Sequence, residues 1–588
     1  MKKYLFCLCL TTTLFGCKKY LDEKQVSGVS YEFYNTEEGI EALVWACYEP
    51  LRVFGTDQYM LNMSNLGTDI YTYTRVASGN EFHLYTSDIN STNFNFQFLW
   101  DNFYRGIASC NIAVNRVPKV NGSNFLKTEQ GRLRREGEAR FLRAFYYFKL
   151  VQTFGKIPLH LQENLVVQND IKRAEVPDIY RAIIADLAFA AQNLPATQSQ
   201  AARVTQSAAQ HLLAKVYLTR GSAVTDVRGQ QPTDMDSAAF YAEKAIASKG
   251  ALLPNYDQAR NPQNQGNKDV LFAVSYTSNT LANGSGNSAH LYYISQYDNI
   301  SGSGMVRDIA NGRAFVRLVP TEYMWNLFDR KNDSRIYKAY KTVWTSNTTS
   351  TSNVQKWTAA SAANPSLVGK PKFSFGDTAI VFTFNNEPVQ ANIDKKPYVW
   401  FPKNKWTDRF FPHYRYFLDP TRLGVNDANG FLDFPLLWLS ETYLIAAEAN
   451  GRKGDYAKAV QYINVVRRRA AYKQGEVKPF HFVMADGGEP ANITTSTETS
   501  MEITSAAINS PDKIRDFILE ERARELGGDY ERWYDLTRTE TFLNRVKQYN
   551  SAAAPNVKAF HKLRPIPQTH IDRLSNPGKP ADEQNPGY

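Results

Sequence analysis

The chain has 588 residues, of which 43% are hydrophobic and 21% are charged, proportions that are ordinary for a globular protein. Its formal net charge of +10 is mild for this length, and its basic clusters at 132–135 and 467–469 lie inside helical patterns. This charge distribution argues against a nucleic-acid-binding protein. Aromatic residues make up 13%, which is high and leaves rings available for surface roles.

Residues 1–16 have the pattern of a bacterial lipoprotein signal peptide. Two lysines precede an uncharged apolar stretch that is too short to span a bilayer, and the segment at 14–17 has the form of a lipidation site. Cys17 is therefore predicted to be lipidated and to begin the mature chain, and the polar segment 17–30 is predicted to be a tether. Because Phe15 is bulkier than the residue usual at that position, cleavage as an ordinary secreted protein is the alternative.

Residues 31–254 are predicted to form an N-terminal helical region. Apolar residues at intervals of three and four predict helices at 36–53, 98–117, 130–154, 176–194, 205–220 and 236–248. In the third of these helices, one stripe carries Phe141, Phe145, Phe148 and Val151. Because Arg140 and Lys149 lie off that stripe, one broad face is predicted to be buried.

Two segments predict pairs of helices that pack closely through alanines. In the first pair, 208–218 is followed after a loop by 238–246, and in the second, 443–452 and 456–471 flank a turn at Gly454. Small side chains let helix backbones approach each other. Both pairs resemble tetratricopeptide helix hairpins, although they are not in a regular array of about 34 residues per repeat. The predicted fold class is mainly α, with tetratricopeptide-like hairpins, long irregular loop insertions and a few short β-strands.

Residues 255–434 differ in character, being rich in Gly, Asn, Ser and aromatic residues. Short runs predict strands at 270–276 and 378–384, and the clearest helical pattern is 321–330. Long irregular segments inside compact proteins are usually functional surface. This region is therefore predicted to bind the ligand.

Residues 435–588 are predicted to form a C-terminal helical region that includes a helix at 512–526. Gly527 and Gly528 follow that helix, and charged and aromatic residues alternate through 529–538. Glycine suits the end of a helix, and the charged residues can cap or pair across the corner. The segment predicts a buried ion-pair corner that locks two helices together.

Common catalytic motifs are absent from the sequence, including zinc-protease, nucleophile-elbow, phosphate-loop and dinucleotide-binding patterns. Two pairs of carboxylates, Glu136 with Glu138 and Glu520 with Glu521, have the residue types of a glycoside hydrolase. Both pairs lie in helical patterns beside arginines, and ion pairing explains their placement more simply. The protein is predicted not to be an enzyme.

Cys47 and Cys110 are the cysteines that remain beyond the signal and the lipidation site. An exported protein can oxidise such a pair, and two buried free thiols are the alternative. No cofactor and no metal ligand set are predicted, while a calcium ion in the loops is left open.

Seven blocks, in order along the chain, resemble the SusD/RagB family of outer-membrane nutrient-binding lipoproteins. They are 100–107, 137–144 leading to 154–159, 203–209, 441–449, 521–538, 563–567 and 584–588. The resemblance covers essentially the whole chain and implies an α-rich, non-enzymatic protein. It also implies a surface position over a TonB-dependent transporter of the SusC type, which receives the captured glycan; a minority of relatives take peptides.

Sugar rings present C–H groups on one face and hydroxyls at the edge, so a glycan binder needs aromatic rings with polar neighbours. The candidate ligand-binding residues are aromatics on loops and charged residues beside them: Asp69, Tyr71, Tyr73, Arg75, Phe94, Phe96, Tyr292, Tyr293, Tyr297, Trp344 and Trp357. Packing beneath its own loop is the alternative for each ring. Core packing is predicted for Trp100, Trp438 and Trp533.

The predicted function is capture of an oligosaccharide or polysaccharide at the cell surface by a lipoprotein of the outer membrane, which passes it to a SusC-type TonB-dependent transporter. A peptide-binding surface lipoprotein of the same uptake architecture is the second hypothesis. A surface glycoside hydrolase is the third.

Overall fold

The computed structural model describes residues 31–75, 79–164, 166, 170–482, 493–575 and 583–588. The predicted signal peptide, Cys17 and the tether lie outside these residues. Within the described ranges, no helix combines the length and apolarity needed to cross a membrane.

Helices dominate both ends of the described chain. In the N-terminal part they are α1 (Glu37–Tyr48), α2 (Tyr59–Ser64), α3 (Asn80–Leu84), α4 (Phe94–Arg116), α5 (Glu129–Phe154), α6 (Val176–Asn193), α7 (Gln206–Gly221) and α8 (Asp234–Lys249). The middle part carries only short helices: α9 (Tyr256–Arg260), α10 (Thr280–Asn283), α11 (Glu322–Asn326), α12 (Arg335–Ala339) and α13 (Gln390–Asp394). The C-terminal helices are α14 (Leu439–Arg452), α15 (Tyr456–Ala470), α16 (Glu498–Met501), α17 (Pro511–Leu526), α18 (Arg532–Arg538), α19 (Phe542–Tyr549) and α20 (Gln568–Ile571).

The two predicted hairpins are α7 with α8 and α14 with α15, and the turn of the second is closed by Gly454 at a φ of 88°. Each helix from α4 to α7 packs against the helix that follows it in the chain. Helix α14 extends this row because it packs against α8. Small and aliphatic side chains fill that junction: Ala214, Leu218, Ala238, Ala239, Ala242, Ile445, Ala446 and Ala449. The prediction of a mainly α, tetratricopeptide-like fold is confirmed.

The strands are short. They are β1 (Tyr71–Thr72), β2 (Ile157–Pro158), β3 (Arg173–Ala174), β4 (Val270–Val274), β5 (Val319–Pro320), β6 (Tyr340–Lys341), β7 (Val343–Thr345), β8 (Thr378–Phe382), β9 (Val399–Phe401), β10 (His413–Tyr414) and β11 (Phe434–Trp438). Four antiparallel pairs form, namely β1 with β5, β2 with β3, β4 with β11 and β6 with β10. The remaining sheet, β7-β8-β9, packs over a small core of its own that includes Trp344 and Phe382.

Helix α5 is buried around most of its circumference, so the prediction of a single buried face is wrong. Lys149 is only 3% exposed, and its ammonium lies 2.8 Å from the carboxylate of Glu531. Glu138 is fully buried and pairs with Arg203 at 2.8 Å. Charged groups enter the core here because each has a partner of opposite charge.

The corner at 527–538 is the predicted ion-pair network. Arg532 of α18 lies 2.6 Å from Asp69, and Asp535 lies 2.6 Å from Arg522 of α17. All four side chains are buried. The corner therefore joins the C-terminal helices to a residue near the start of the chain.

Glu448 of α14 is expected to make the stability of the folded protein depend on pH. Burial raises its pKa, but the Arg538 and Arg452 charges outweigh burial and lower it to about 2. Because the folded-state pKa lies below the unfolded value of about 4.3, this carboxylate stabilises the fold above about pH 4.3, and the contribution is lost as pH falls toward about 2. We expect Glu448→Gln to lower the melting temperature at about pH 6 and to flatten its further fall between about pH 5 and pH 3.

Thermal unfolding followed by circular dichroism at each pH measures this effect. The partly exposed Glu520, replaced by Gln, is the control and should keep the wild-type slope. An equally steep fall in the Glu448 variant would contradict the assignment.

Candidate functional site

Most of the predicted ligand-binding residues lie in the core. Seven of them are between 0% and 3% exposed: Asp69, Tyr71, Phe96, Tyr292, Tyr293, Tyr297 and Trp344. A ring whose faces are covered by protein cannot stack on a sugar. These seven residues are therefore removed from the candidate site.

The buried tyrosines anchor loops to the core. The Tyr71 hydroxyl donates to the Gly527 carbonyl at 2.6 Å, and the Tyr297 hydroxyl donates to the Gly312 carbonyl at 2.8 Å. Buried phenols normally find such acceptors. Loop aromatics in this protein thus include many rings that point inward.

Four predicted residues keep solvent access. Phe94 is 53% exposed and Arg75 is exposed, while Tyr73 and Trp357 are half-buried. Tyr73 lies edge-on to His83, with ring centroids 6.1 Å apart. Burial lowers the pKa of His83 to about 4, so a neutral imidazole supports Tyr73 at neutral pH.

Trp357 lies on a separate loop, far along the chain from Tyr73, Arg75 and Phe94. The Lys372 ammonium is 5.0 Å from the centroid of its ring. Within the described part of the chain, no ring contact or hydrogen bond joins Trp357 to Phe94 or Tyr73.

Phe94 belongs to an exposed aromatic cluster. It is the first residue of α4, which begins there because the Asn93 side chain accepts the Asn95 N–H as a helix cap. Phe98 lies one turn further along the same face, and Tyr59 begins α2. The Tyr59 centroid is 5.3 Å from that of Phe94 and 4.6 Å from that of Phe98. We name Tyr59, Phe94 and Phe98 the aromatic platform.

The spacing of Phe94 and Phe98 was the sequence signal that could have revealed part of this cluster. Tyr59 carries no such signal because it reaches the platform from another helix. Both Tyr59 and Phe98 are half-buried, so each is held by packing while part of its surface meets solvent.

A groove of about 730 Å³ opens beside the platform. Phe98 lines it together with Trp45 and Tyr48 of α1, whose ring centroids are 5.4 Å apart. Asn102 adds a polar amide, and Leu281, which is 96% exposed, stands at its edge. Aromatic walls with a few polar groups suit a ligand that has apolar faces and polar edges.

Two arginines contact the ring of Phe315, and one of them also contacts the residue that precedes Tyr59. The guanidinium carbons of Arg313 and Arg317 are 4.9 Å and 5.2 Å from the ring centroid of Phe315. Arg317 Nε donates to Gln58 Oε1 at 2.5 Å, and Gln58 directly precedes Tyr59 of the platform. We name Arg313, Phe315 and Arg317 the arginine clamp.

The carboxylates considered for catalysis are engaged in ion pairs. The pairs are Glu136–Arg140, Glu138–Arg203, Glu520–Arg524 and Glu521–Arg335. Cys47 and Cys110 are buried free thiols. Within the ranges that the structure covers, no three His, Cys, Asp or Glu side chains gather as a metal site.

Two family models match the chain. The model described as the SusD family matches residues 254–588, and one described as starch-binding and associating with the outer membrane matches residues 19–218. The SusD-like protein P2 of Formosa agariphila is 24% identical over 601 residues, and the alignment covers 100% of both chains.

Solved structures share the fold. A SusD homologue from Bacteroides thetaiotaomicron superposes with a TM-score of 0.66 at 20% identity, covering 94% of this chain and 97% of the other. Surface glycan-binding protein A of that species, in complex with laminarihexaose, superposes with a TM-score of 0.63 at 18% identity and 94% and 99% coverage. Since the first family model spans more than half of the sequence, this chain belongs to the SusD/RagB family.

Proposed function

We propose that this protein is a non-catalytic surface lipoprotein that captures a glycan on the aromatic platform and in the adjoining groove. Lipid on Cys17 holds it to the outer membrane, and the captured glycan passes to a TonB-dependent transporter of the SusC type. The observation that carries the proposal is a cluster of three rings in which Phe94 is exposed, Tyr59 and Phe98 are half-buried, and Phe98 lines a groove of about 730 Å³. Family membership supports the same role, because SusD-like proteins bind glycans.

The platform has the chemistry that sugar recognition needs. An aromatic side chain that buries half of its roughly 200 Å² gains about 2 kcal/mol at about 25 cal/mol per Å². Two or three rings therefore give about −4 to −6 kcal/mol, which corresponds to dissociation constants from about 1 mM to about 40 μM. Affinity in this range suits a protein that must release its cargo to a partner.

Tyr73 and Arg75 extend the proposed site beyond the platform. Tyr73 packs on His83, and the Arg75 backbone N–H donates to the Asp408 carboxylate, leaving the Arg75 side chain exposed. Trp357 is proposed as a separate, peripheral sugar contact because its ring is only partly covered.

Retention of polysaccharide without cleavage is the expected result for purified protein comprising residues 18–588. Affinity gel electrophoresis against a panel of polysaccharides measures retention, and a reducing-end assay on the same mixtures measures cleavage. Reducing ends released in proportion to protein would contradict the proposal in favour of a hydrolase. Retention of peptides with no polysaccharide retained would contradict it in favour of a peptide-binding lipoprotein.

A further inference from the structure

The guanidinium groups of the arginine clamp donate to neutral oxygen atoms, and in the described part of the chain neither of them forms an ion pair with a carboxylate. Arg313 donates to the Asn426 carbonyl at 2.8 Å, and Arg317 donates to the Gln58 amide oxygen at 2.5 Å. The Phe315 carbonyl is a further, distant acceptor for Arg317 at 3.5 Å. Both cations are thus held by neutral groups.

Most buried arginines among the described residues, in contrast, form ion pairs with carboxylates. Arg532, Arg538 and Arg335, for example, each lie within 3 Å of a carboxylate. A half-buried guanidinium without such a partner carries a positive charge that no carboxylate neutralises. A ligand anion that reached it would accept strong, charge-assisted hydrogen bonds.

Arg317 is the more constrained of the pair. Burial lowers its pKa, and the nearby Tyr292 and Asp57 groups oppose that change only in part. Asp57 is the carboxylate that faces this region, and it lies beyond direct ion-pair reach of Arg317.

Gln58 connects Arg317 of the clamp to Tyr59 of the platform. Gln58 binds Arg317 through its side chain and is adjacent to Tyr59 in the chain. A sugar ring on the platform would place its edge substituents toward the clamp. Contact with the Phe315 ring restrains both guanidinium groups, so less conformational entropy is lost when their N–H groups bind an anion.

We propose that this surface selects anionic glycans, with a carboxylate or sulfate group of the sugar bound by the guanidinium groups of Arg313 and Arg317. The inference rests on the proposed function and names the substrate class of the same site. The clamp would make the surface prefer uronate-bearing and sulfated polymers to the neutral glucans that the platform alone would bind.

Binding is measured for residues 18–588 by calorimetry and affinity gels with polygalacturonate, κ-carrageenan and laminarin, which carry carboxylate, sulfate and no charge. We expect the wild type to bind at least one anionic polymer about tenfold more tightly than laminarin at about 50 mM NaCl, and to lose most of that preference at about 500 mM. The R313Q/R317Q variant should weaken anionic binding by about 10- to 100-fold and leave laminarin binding within about twofold.

The matched control is R134Q, which removes one exposed arginine from the first half of α5 and should change neither affinity. Circular dichroism verifies folding, and R317K, which keeps the charge without the planar donors, should recover part of the anionic binding. Preference for polygalacturonate or for κ-carrageenan alone identifies carboxylate or sulfate as the bound group.

An equal loss of affinity for all three polymers in R313Q/R317Q would overturn the inference. So would wild-type binding of laminarin with no anionic preference, a result that leaves the proposed function standing. Failure to bind any of the three polymers, extended to starch, xylan and alginate, would overturn the proposed function and this inference with it.

Discussion

Replacing Asp69 by alanine is expected to lower the free energy of unfolding by about 3–5 kcal/mol, because two buried arginines would lose their shared carboxylate. Arg532 donates to Asp69 through Nε at 2.7 Å and Nη2 at 2.6 Å, and Arg545 donates through Nε at 2.9 Å. Asp69 is fully buried. Burial raises its pKa, but the charges of the two arginines outweigh burial and keep the pKa below the ordinary value.

Urea unfolding followed by circular dichroism measures this loss. Asp101→Ala on the exposed surface of α4 is the matched control and should change stability by less than about 0.5 kcal/mol. A change below about 1 kcal/mol for Asp69→Ala would contradict the structural role. The same variant tests the sequence prediction of Asp69 as a ligand, since a merely structural residue should leave the glycan affinity of the folded fraction unchanged.

Replacing Phe94 by alanine is expected to weaken glycan binding by about 30-fold, which corresponds to losing about 2 kcal/mol of stacking. Combining it with Tyr59→Ala should reduce binding below detection, because two of the three platform rings are then absent. Phe94 is 53% exposed and lies at the start of α4, so its removal should cost little stability. Isothermal calorimetry with the best-retained polysaccharide measures the affinity.

Phe240 provides a closely matched control for this prediction. It is 51% exposed and lies on α8, where its ring contacts Tyr241 and Lys244, so Phe240→Ala removes a similarly exposed ring that is not part of the platform. Wild-type affinity is expected for that variant. If Phe94→Ala and Phe240→Ala behave alike, the aromatic platform is not the binding surface.

The helices could be predicted from the sequence because their signal is local. The predicted helix at 130–154 corresponds to α5 at Glu129–Phe154, and the predicted pair at 443–452 and 456–471 corresponds to α14 and α15. Apolar residues recur at intervals of three and four because of helix geometry, and this pattern does not depend on how the helices pack together. The helix predicted at 321–330 is shorter in the structure, at Glu322–Asn326.

The candidate site could be predicted only in part. Phe94 was identified as an exposed loop aromatic and proves to be exposed, although it begins a helix. Trp344 has the same sequence character but is fully buried in the small core beneath the β7-β8-β9 sheet. An aromatic residue on an irregular segment gives the same signal whether its ring faces solvent or the interior.

By itself, the sequence determined the order of helices, the two alanine-rich hairpins and the family blocks. Each of these features depends only on residues that are close together in the chain. Only the tertiary structure decided which rings meet solvent, that α8 packs on α14, and that Asp69 pairs with Arg532, 463 positions later. Burial and ion pairing depend on contacts between segments far apart in the chain. Their energy comes from removing both partners from water together, which no local pattern records.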